Sequence, residues 1–165
     1  MLILALAIAQ PVAAQSFKPD WDAGHAAFKQ KDYATALRHW RPLAKQGDAD
    51  AQLWLGSMYE YGWGVTKDLK KAVRWWRKAA KQGYASAQYN LGVMYHGGYG
   101  VTQDDKEAVR WFRLAAKQGN ALAQYWLGVM YRWGWGVTQD RKEAVRWYRL
   151  AAEQGDGWSQ LQLGW

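Results

Sequence analysis

Apolar and small side chains return at helical spacing through the middle of the chain. Ala87, Leu91, Met94 and Tyr95 fall on one side of a helix, and Ala108, Trp111, Phe112, Ala115 and Ala116 fall on one side of the next. A period of 3.6 residues gathers such positions onto one face, so the pattern predicts two amphipathic α-helices, roughly residues 86–96 and 105–118. Gly98 and Gly100 interrupt the chain between them. Glycine accepts positive φ without strain and so suits a helix end followed by a tight turn. Val101 then supplies an apolar plug beneath the loop. Asp104 stands where an N-cap is wanted, and Glu107, three residues on, is placed to complete a capping box. The second helix ends at Gln118-Gly119.

This two-helix pattern is repeated. Residues 48–83, 84–119 and 120–155 are three consecutive units of 36 residues, the second and third identical at 27 of 36 positions. Residues 15–47 read as a shorter, diverged capping unit, and residues 156–165 restart the pattern as a half-unit cover. One helix pair is too small to bury its apolar faces alone, and stacking the next pair on top closes the core. The expected fold is therefore all-α, a right-handed α-solenoid of stacked antiparallel helix pairs with seven to nine helices. The half-unit carries apolar Leu161, Leu163 and Trp165. That predicts a sticky end, open to a homodimer contact, a covering partner or further chain.

Thirteen positions recur in every full unit. In the second they are Ala87, Leu91, Gly92, Tyr95, Gly98, Gly100, Val101, Asp104, Ala108, Trp111, Ala115, Ala116 and Gly119. This arrangement resembles the Sel1-like repeat, a relative of the tetratricopeptide repeat. The leading unit departs from it: there is no Gly-x-Gly-Val loop, and His39 stands where the Trp is expected. Its segment from Asp32 to Trp40 looks closer to an ordinary tetratricopeptide repeat. The resemblance implies adaptor work rather than catalysis, with a peptide or protein held in a concave groove. It also implies a bacterial source, often with export. One bacterial branch carries a Cys pair in each repeat and is linked to β-lactams; with no Cys in this chain, that branch does not carry over.

Composition narrows the picture further. Thirteen Trp and ten Tyr against three Phe reflect multiplication of a repeated unit. The absence of Cys excludes disulfides, thiolate metal sites and a cysteine nucleophile. Residues 2–9 form a short apolar run, followed after Pro11 by Val12-Ala13-Ala14, which suits cleavage between Ala14 and Gln15. Residues 1–14 therefore read as a signal peptide, placing the mature protein in the periplasm or outside the cell. The alternative is a buried N-terminal helix, since no Lys or Arg precedes the run. The run falls well short of the ~20 residues of a membrane span.

Two constellations are candidates for binding. On the first helix of each unit, positions turned from the core differ between units while core positions repeat. Trp54, Asn90 and Trp126 would stand side by side, flanked by Tyr61, His96, Arg132 and Trp133. Trp, Tyr and Arg give large contact area with a polar handle, so this row reads as a peptide groove. The opposing reading is that these aromatics seal the seam between units. The second constellation is a basic ladder on the second helices: Arg74 and Arg77, Arg110 and Arg113, Arg146 and Arg149. With a net charge of +8 it fits an anionic envelope polymer or lipid, or simply a solvated face; export argues against nucleic acid. His25, His39 and His96 lie in different layers with no metal-ligand spacing, and no phosphate loop or acid/base pair stands out. No cofactor, no metal and no catalytic residue is expected.

Overall fold

Nine α-helices in chain order account for the residues described in the computed structural model, 17–164. They are α1 (Trp21–Lys29), α2 (Tyr33–Gln46), α3 (Ala49–Tyr61), α4 (Leu69–Lys81), α5 (Ala85–Gly97), α6 (Asp105–Lys117), α7 (Ala121–Trp133), α8 (Arg141–Glu153) and α9 (Gly157–Leu163). The signal-peptide segment, residues 1–14, lies outside the described residues. Among the described residues there is no strand, and no helix is long and apolar enough to cross a membrane. Packing runs between chain neighbours, α1 on α2, α2 on α3 and so on to α9, with α5 also touching α7. This is the nearest-neighbour stacking of an α-solenoid.

The odd-numbered helices, called A helices below, and the even-numbered B helices bury the faces that the periodicity marks. Ala87, Leu91 and Met94 of α5 are buried, as are Ala108, Trp111, Phe112, Ala115 and Ala116 of α6. Tyr95 shares this face half-buried: its ring packs against the cores of two successive layers, and its hydroxyl accepts from Arg77 Nη2 at 2.9 Å. The leading unit keeps the register despite its divergence. Trp40 is fully buried like Trp76, and His39 Nδ1 accepts the Asp20 backbone N–H at 3.0 Å.

The A–B loops after α3, α5 and α7 are built alike. Gly98 ends α5 in the left-handed conformation, and its N–H and that of Tyr99 both donate to the Met94 carbonyl. Gly100, φ +70°, presses on the backbone of Leu69, the first residue of the preceding B helix. The loop of one unit is thus seated on the start of the B helix before it, and Val101 packs into the core between them. Asp104 caps α6 through the Glu107 N–H at 3.0 Å. The return half of the capping box does not form. The Asp104 N–H donates instead to the Tyr95 carbonyl at 2.9 Å, and the Glu107 carboxylate holds Arg110 at 3.0 Å.

A buried polar relay joins the layers. Gln88 donates to the Ala80 carbonyl of the preceding B helix at 3.2 Å and accepts from Gln118, at the end of its own B helix, at 2.8 Å. Gln52 does the same with Ala44 and Gln82, and Gln124 with Ala116 and Gln154. Buried amides are costly unless paired, so these glutamines set the register of each A helix on the B helix below.

Candidate partner-binding groove

The A helices carry outward positions whose surroundings differ from layer to layer. Trp54 is half-buried, its ring 4.9 Å edge-on to Phe28 and 5.5 Å from Trp40. Trp126 stacks on Phe112 at 5.8 Å with the planes 6° apart, and touches His96 at 5.3 Å. His96 is itself committed: Nδ1 lies 2.7 Å from Asp105, and the ring stacks on Trp135 at 5.1 Å. These two tryptophans therefore fill seams between layers as well as bordering the A-helix face. Tyr61 and Trp133 are more than half exposed, each stacked on the aromatic two residues further on. Arg132 lies over the Trp133 ring at 5.3 Å and hydrogen-bonds Gln162. Asn90 is half-buried, and among the described residues its amide has no hydrogen-bond partner.

A recess of ≈ 370 Å³ opens on the A-helix side, lined by Tyr89, Leu122, Tyr125, Trp126 and Trp158. Its walls come from α5, α7 and α9, so three successive layers contribute. Of these residues only Trp126 is among the candidates read from sequence. Tyr89 and Tyr125 stand one position before Asn90 and Trp126, in a register that reads Leu53, Tyr89, Tyr125, Leu161. Invariably apolar but variable in size, that register was the signal available. A second recess of ≈ 320 Å³ lies at α7–α8, bordered by Arg132, Trp133, Arg141 and Tyr148.

Electrostatics are uneven across the A-helix side. Burial pushes the Glu60 carboxyl above the usual carboxylate range, opposed by a hydrogen bond from Tyr61 and by the more distant Lys67. Burial likewise raises the Tyr89 phenol, against a hydrogen bond with Trp126 and with a further push from Glu60. Among the described residues Glu60 has no ion-pair partner.

The basic ladder divides into two kinds of residue. Arg77 and Arg113 are struts between units, donating to the Tyr95 hydroxyl at 2.9 Å and the Tyr131 hydroxyl at 3.0 Å. Arg74, Arg110, Arg146 and Arg149 are exposed. Glu107 grips Arg110, which also lies over Trp111 at 4.4 Å, and Glu143 approaches Arg146 at 3.6 Å. α4 differs from α6 and α8, carrying six Lys and Arg and no carboxylate within the helix. Among the described residues no cluster of three or more His, Asp or Glu is placed to hold a metal ion.

Stacked two-helix units with loop-on-helix seating define a repeat-built scaffold protein, and comparison with known proteins says which kind. The chain belongs to the Sel1 repeat family, whose repeat matches residues 24–48, 49–84, 85–120 and 121–156. Such repeats are related to tetratricopeptide repeats and generally serve as non-catalytic scaffolds for protein–protein interaction. The crystal structure of c5321, a protective antigen of uropathogenic Escherichia coli strains with an SLR fold, superposes with a TM-score of 0.85 at 46% identity. The match covers 87% of this chain and 32% of that one. A Sel1 repeat protein from Oxalobacter formigenes gives 0.83 at 39% identity, over 88% of this chain and 60% of that one. The chain thus spans about a third and three-fifths of these two relatives. Helicobacter pylori cysteine rich protein B shares the fold, with a TM-score of 0.61 at 20% identity over 78% of this chain and 92% of that one. Comparison with curated proteins returned no match.

Proposed function

We propose that this protein is a non-catalytic adaptor that holds a peptide or protein segment along its A-helix face. The observation that carries this reading is the aromatic recess at Tyr89, Leu122, Tyr125, Trp126 and Trp158, whose walls come from three layers at once. Leu122 and Trp158 are 48% and 65% exposed, so the recess has an apolar rim open to solvent. Rigid aromatics in such a place offer contact area at small entropic cost. The row Trp54, Asn90, Trp126 with Tyr61, His96, Arg132 and Trp133 extends the surface along the array. Trp54 and Trp126 contribute partly by packing, so they are poor choices for a test. Leu122→Ser with Trp158→Ser should abolish binding to an immobilised array of short peptides while leaving the helical circular dichroism intact. Undiminished binding by that double variant would remove the recess from the reading. We also propose that the adaptor works in the bacterial envelope or outside the cell, on the strength of the apolar run and Ala14; N-terminal sequencing should find the mature chain starting at Gln15.

A second reading is favoured by α4 alone. Lys70, Arg74, Lys78 and Lys81 are exposed there, and only Lys71 is paired with a carboxylate, Asp68 at 3.3 Å. In this reading the B-helix side binds an anionic polymer or lipid. Vesicles rich in phosphatidylglycerol should then bind in a strongly salt-dependent way, and Arg74→Glu with Lys78→Glu should abolish the binding.

A further inference from the structure

The end of each A helix and the start of its B helix carry a different pair of residues in each unit. In the second unit His96 Nδ1 lies 2.7 Å from the Asp105 carboxylate. Thirty-six residues further on both positions are cationic, with Arg132 in the place of His96 and Arg141 in the place of Asp105. In the first unit the same two positions are Glu60 and Leu69. The third unit thus keeps the cation and exchanges the carboxylate for a second cation.

Arg132 and Arg141 line one cavity, the ≈ 320 Å³ recess at α7–α8, and no Asp or Glu lines it with them. The acidic residues next to Arg141 are engaged elsewhere. Asp140 accepts the N–H groups of Lys142 and Glu143, and Glu143 faces Arg146 at 3.6 Å. Among the described residues neither Arg132 nor Arg141 belongs to an ion pair. Arg132 is held in position by uncharged groups only. Its Nη1 donates to Gln162 Oε1, its guanidinium lies over the Trp133 ring at 5.3 Å, and its carbonyl accepts from Gln139 Nε2 at 2.7 Å. Apolar wall stands beside the two cations. Val145 is 42% exposed, whereas Val73 and Val109, at the same position of the earlier units, are buried. Two like charges on one recess repel each other, and an anion between them relieves that and accepts hydrogen bonds from both guanidinium forks.

We infer that this recess is a seat for a carboxylate carried on an apolar body, such as an acidic residue beside an aromatic one. The layer above indicates the group: there a carboxylate, Asp105, stands where Arg141 stands here. Arg132 and Arg141 supply the counter-charge, and Trp133 and Val145 supply the apolar contact. A volume at the low end of the roughly 300–1,000 Å³ of small-ligand sites suits one or two side chains rather than a folded surface. The seat rests on the adaptor reading for the source of its ligand, and adds to it a second anchor apart from the Tyr89 recess.

Four small probes test it by NMR titration of the arginine side chains in the full chain: N-acetyl-Phe-Glu amide, N-acetyl-Phe-Gln amide, and N-acetyl-Ala-Phe as acid and as amide. Each acid should bind about tenfold more tightly than its neutral counterpart, the scale of one charge-assisted hydrogen bond. The tighter of the two acids says whether a side chain or a chain terminus supplies the group. Arg141→Asp gives Arg132 a partner within the chain, as Asp105 is for His96. It should erase the preference for the acids and raise the melting temperature, which also shows that the variant is folded. Arg141→Leu, with the residue type of Leu69, should reduce the preference in part. Equal binding of acids and amides, a preference that survives Arg141→Asp, or no binding in the millimolar range overturns the seat. The adaptor reading stands or falls separately, on the Leu122→Ser, Trp158→Ser variant and the peptide array.

Discussion

Gly92 lies against a ring that has nowhere to go. A Cβ at this position would stand 2.5 Å from Phe112 Cδ1 and Cε1, and Phe112 is fully buried and stacked on Trp126. Alanine in a helix interior is favoured over glycine by about 1 kcal/mol, but overpacking a tight core costs about 1–3 kcal/mol, so the clash wins. Gly92→Ala should lower the urea midpoint, and Gly128→Ala should do the same against Tyr148; a neutral or stabilising result would mean that the helix pair can spread. Glu60 gives a prediction with the opposite sign. Its folded pKa is raised, so the folded state favours the protonated form, and stability contributed at low pH is lost as pH rises through the folded value. Glu60→Gln should therefore be slightly more thermostable than the parent near neutrality, and the gap should close below the ordinary carboxyl range. Thermal melts at both pH values measure it. Buried Gln88 belongs to the same scale. Truncation to Ala removes the buried amide that the Ala80 carbonyl accepts from, a loss of about 1–3 kcal/mol, whereas the exposed Gln118 amide keeps solvent and the Leu114 carbonyl.

At the level of helices and loops, the two glycines in the turns after α3, α5 and α7 have different duties despite similar backbone angles. Gly98 has φ +67° and Gly100 φ +70°. A Cβ on Gly98 would meet Gln103 Cβ at 3.3 Å, which a shift of a few tenths of an ångström relieves, whereas on Gly100 it would sit 2.6 Å from the Leu69 backbone, a far deeper clash. Both Ala variants bear the strain of positive φ, about 1–2 kcal/mol, but only Gly100→Ala also pushes one unit off another. It should be the more destabilising of the two in urea melts, and equal losses would show that the loop seat contributes little. Most of this level was legible in the sequence. The recurrence of Leu91, Ala108, Phe112 and Gly98 states helix phase, core face and turn, because those depend on local periodicity. The capping box at Asp104 and Glu107 was misread for a physical reason: the Tyr95 carbonyl, brought close only by the folded turn, takes the N–H that the box requires. Arg77–Tyr95 and the glutamine relay are contacts across 18 and 30 residues, invisible to any local window. The spacing of Gln52, Gln88 and Gln124 shows in the repeats, but only their burial gives it meaning.

For the whole molecule, nearest-neighbour stacking decides both what could be read of the site and how the site should behave. Trp54 and Trp126 were readable as the A-helix row, yet each is largely spent on the seam beside it, while Tyr125 and Trp158 join the recess only because α7 and α9 lie side by side with no contact to distant layers. A chain whose helices touch only helices of the same or the next layer has no long-range ties to protect its outer layers. Its stability is close to a sum of unit and interface terms, so opening proceeds from the outside inwards. Native-state hydrogen exchange should therefore find the slowest amides in α4 to α6, with protection falling towards α1 and towards α9. Trp158 on the seven-residue α9 forms one wall of the recess, so α9, on the fast-exchanging side, is also part of the binding surface. A segment that fills the recess binds only when α9 is docked, and by linkage it must slow exchange there by as much as docking strengthens its own binding. Protection of α9 should consequently rise with peptide concentration in the parent protein and stay unchanged in the Leu122→Ser, Trp158→Ser variant. Uniform protection from α1 to α9 would contradict the layered account, and an α9 indifferent to bound peptide would separate the recess from the function proposed for it.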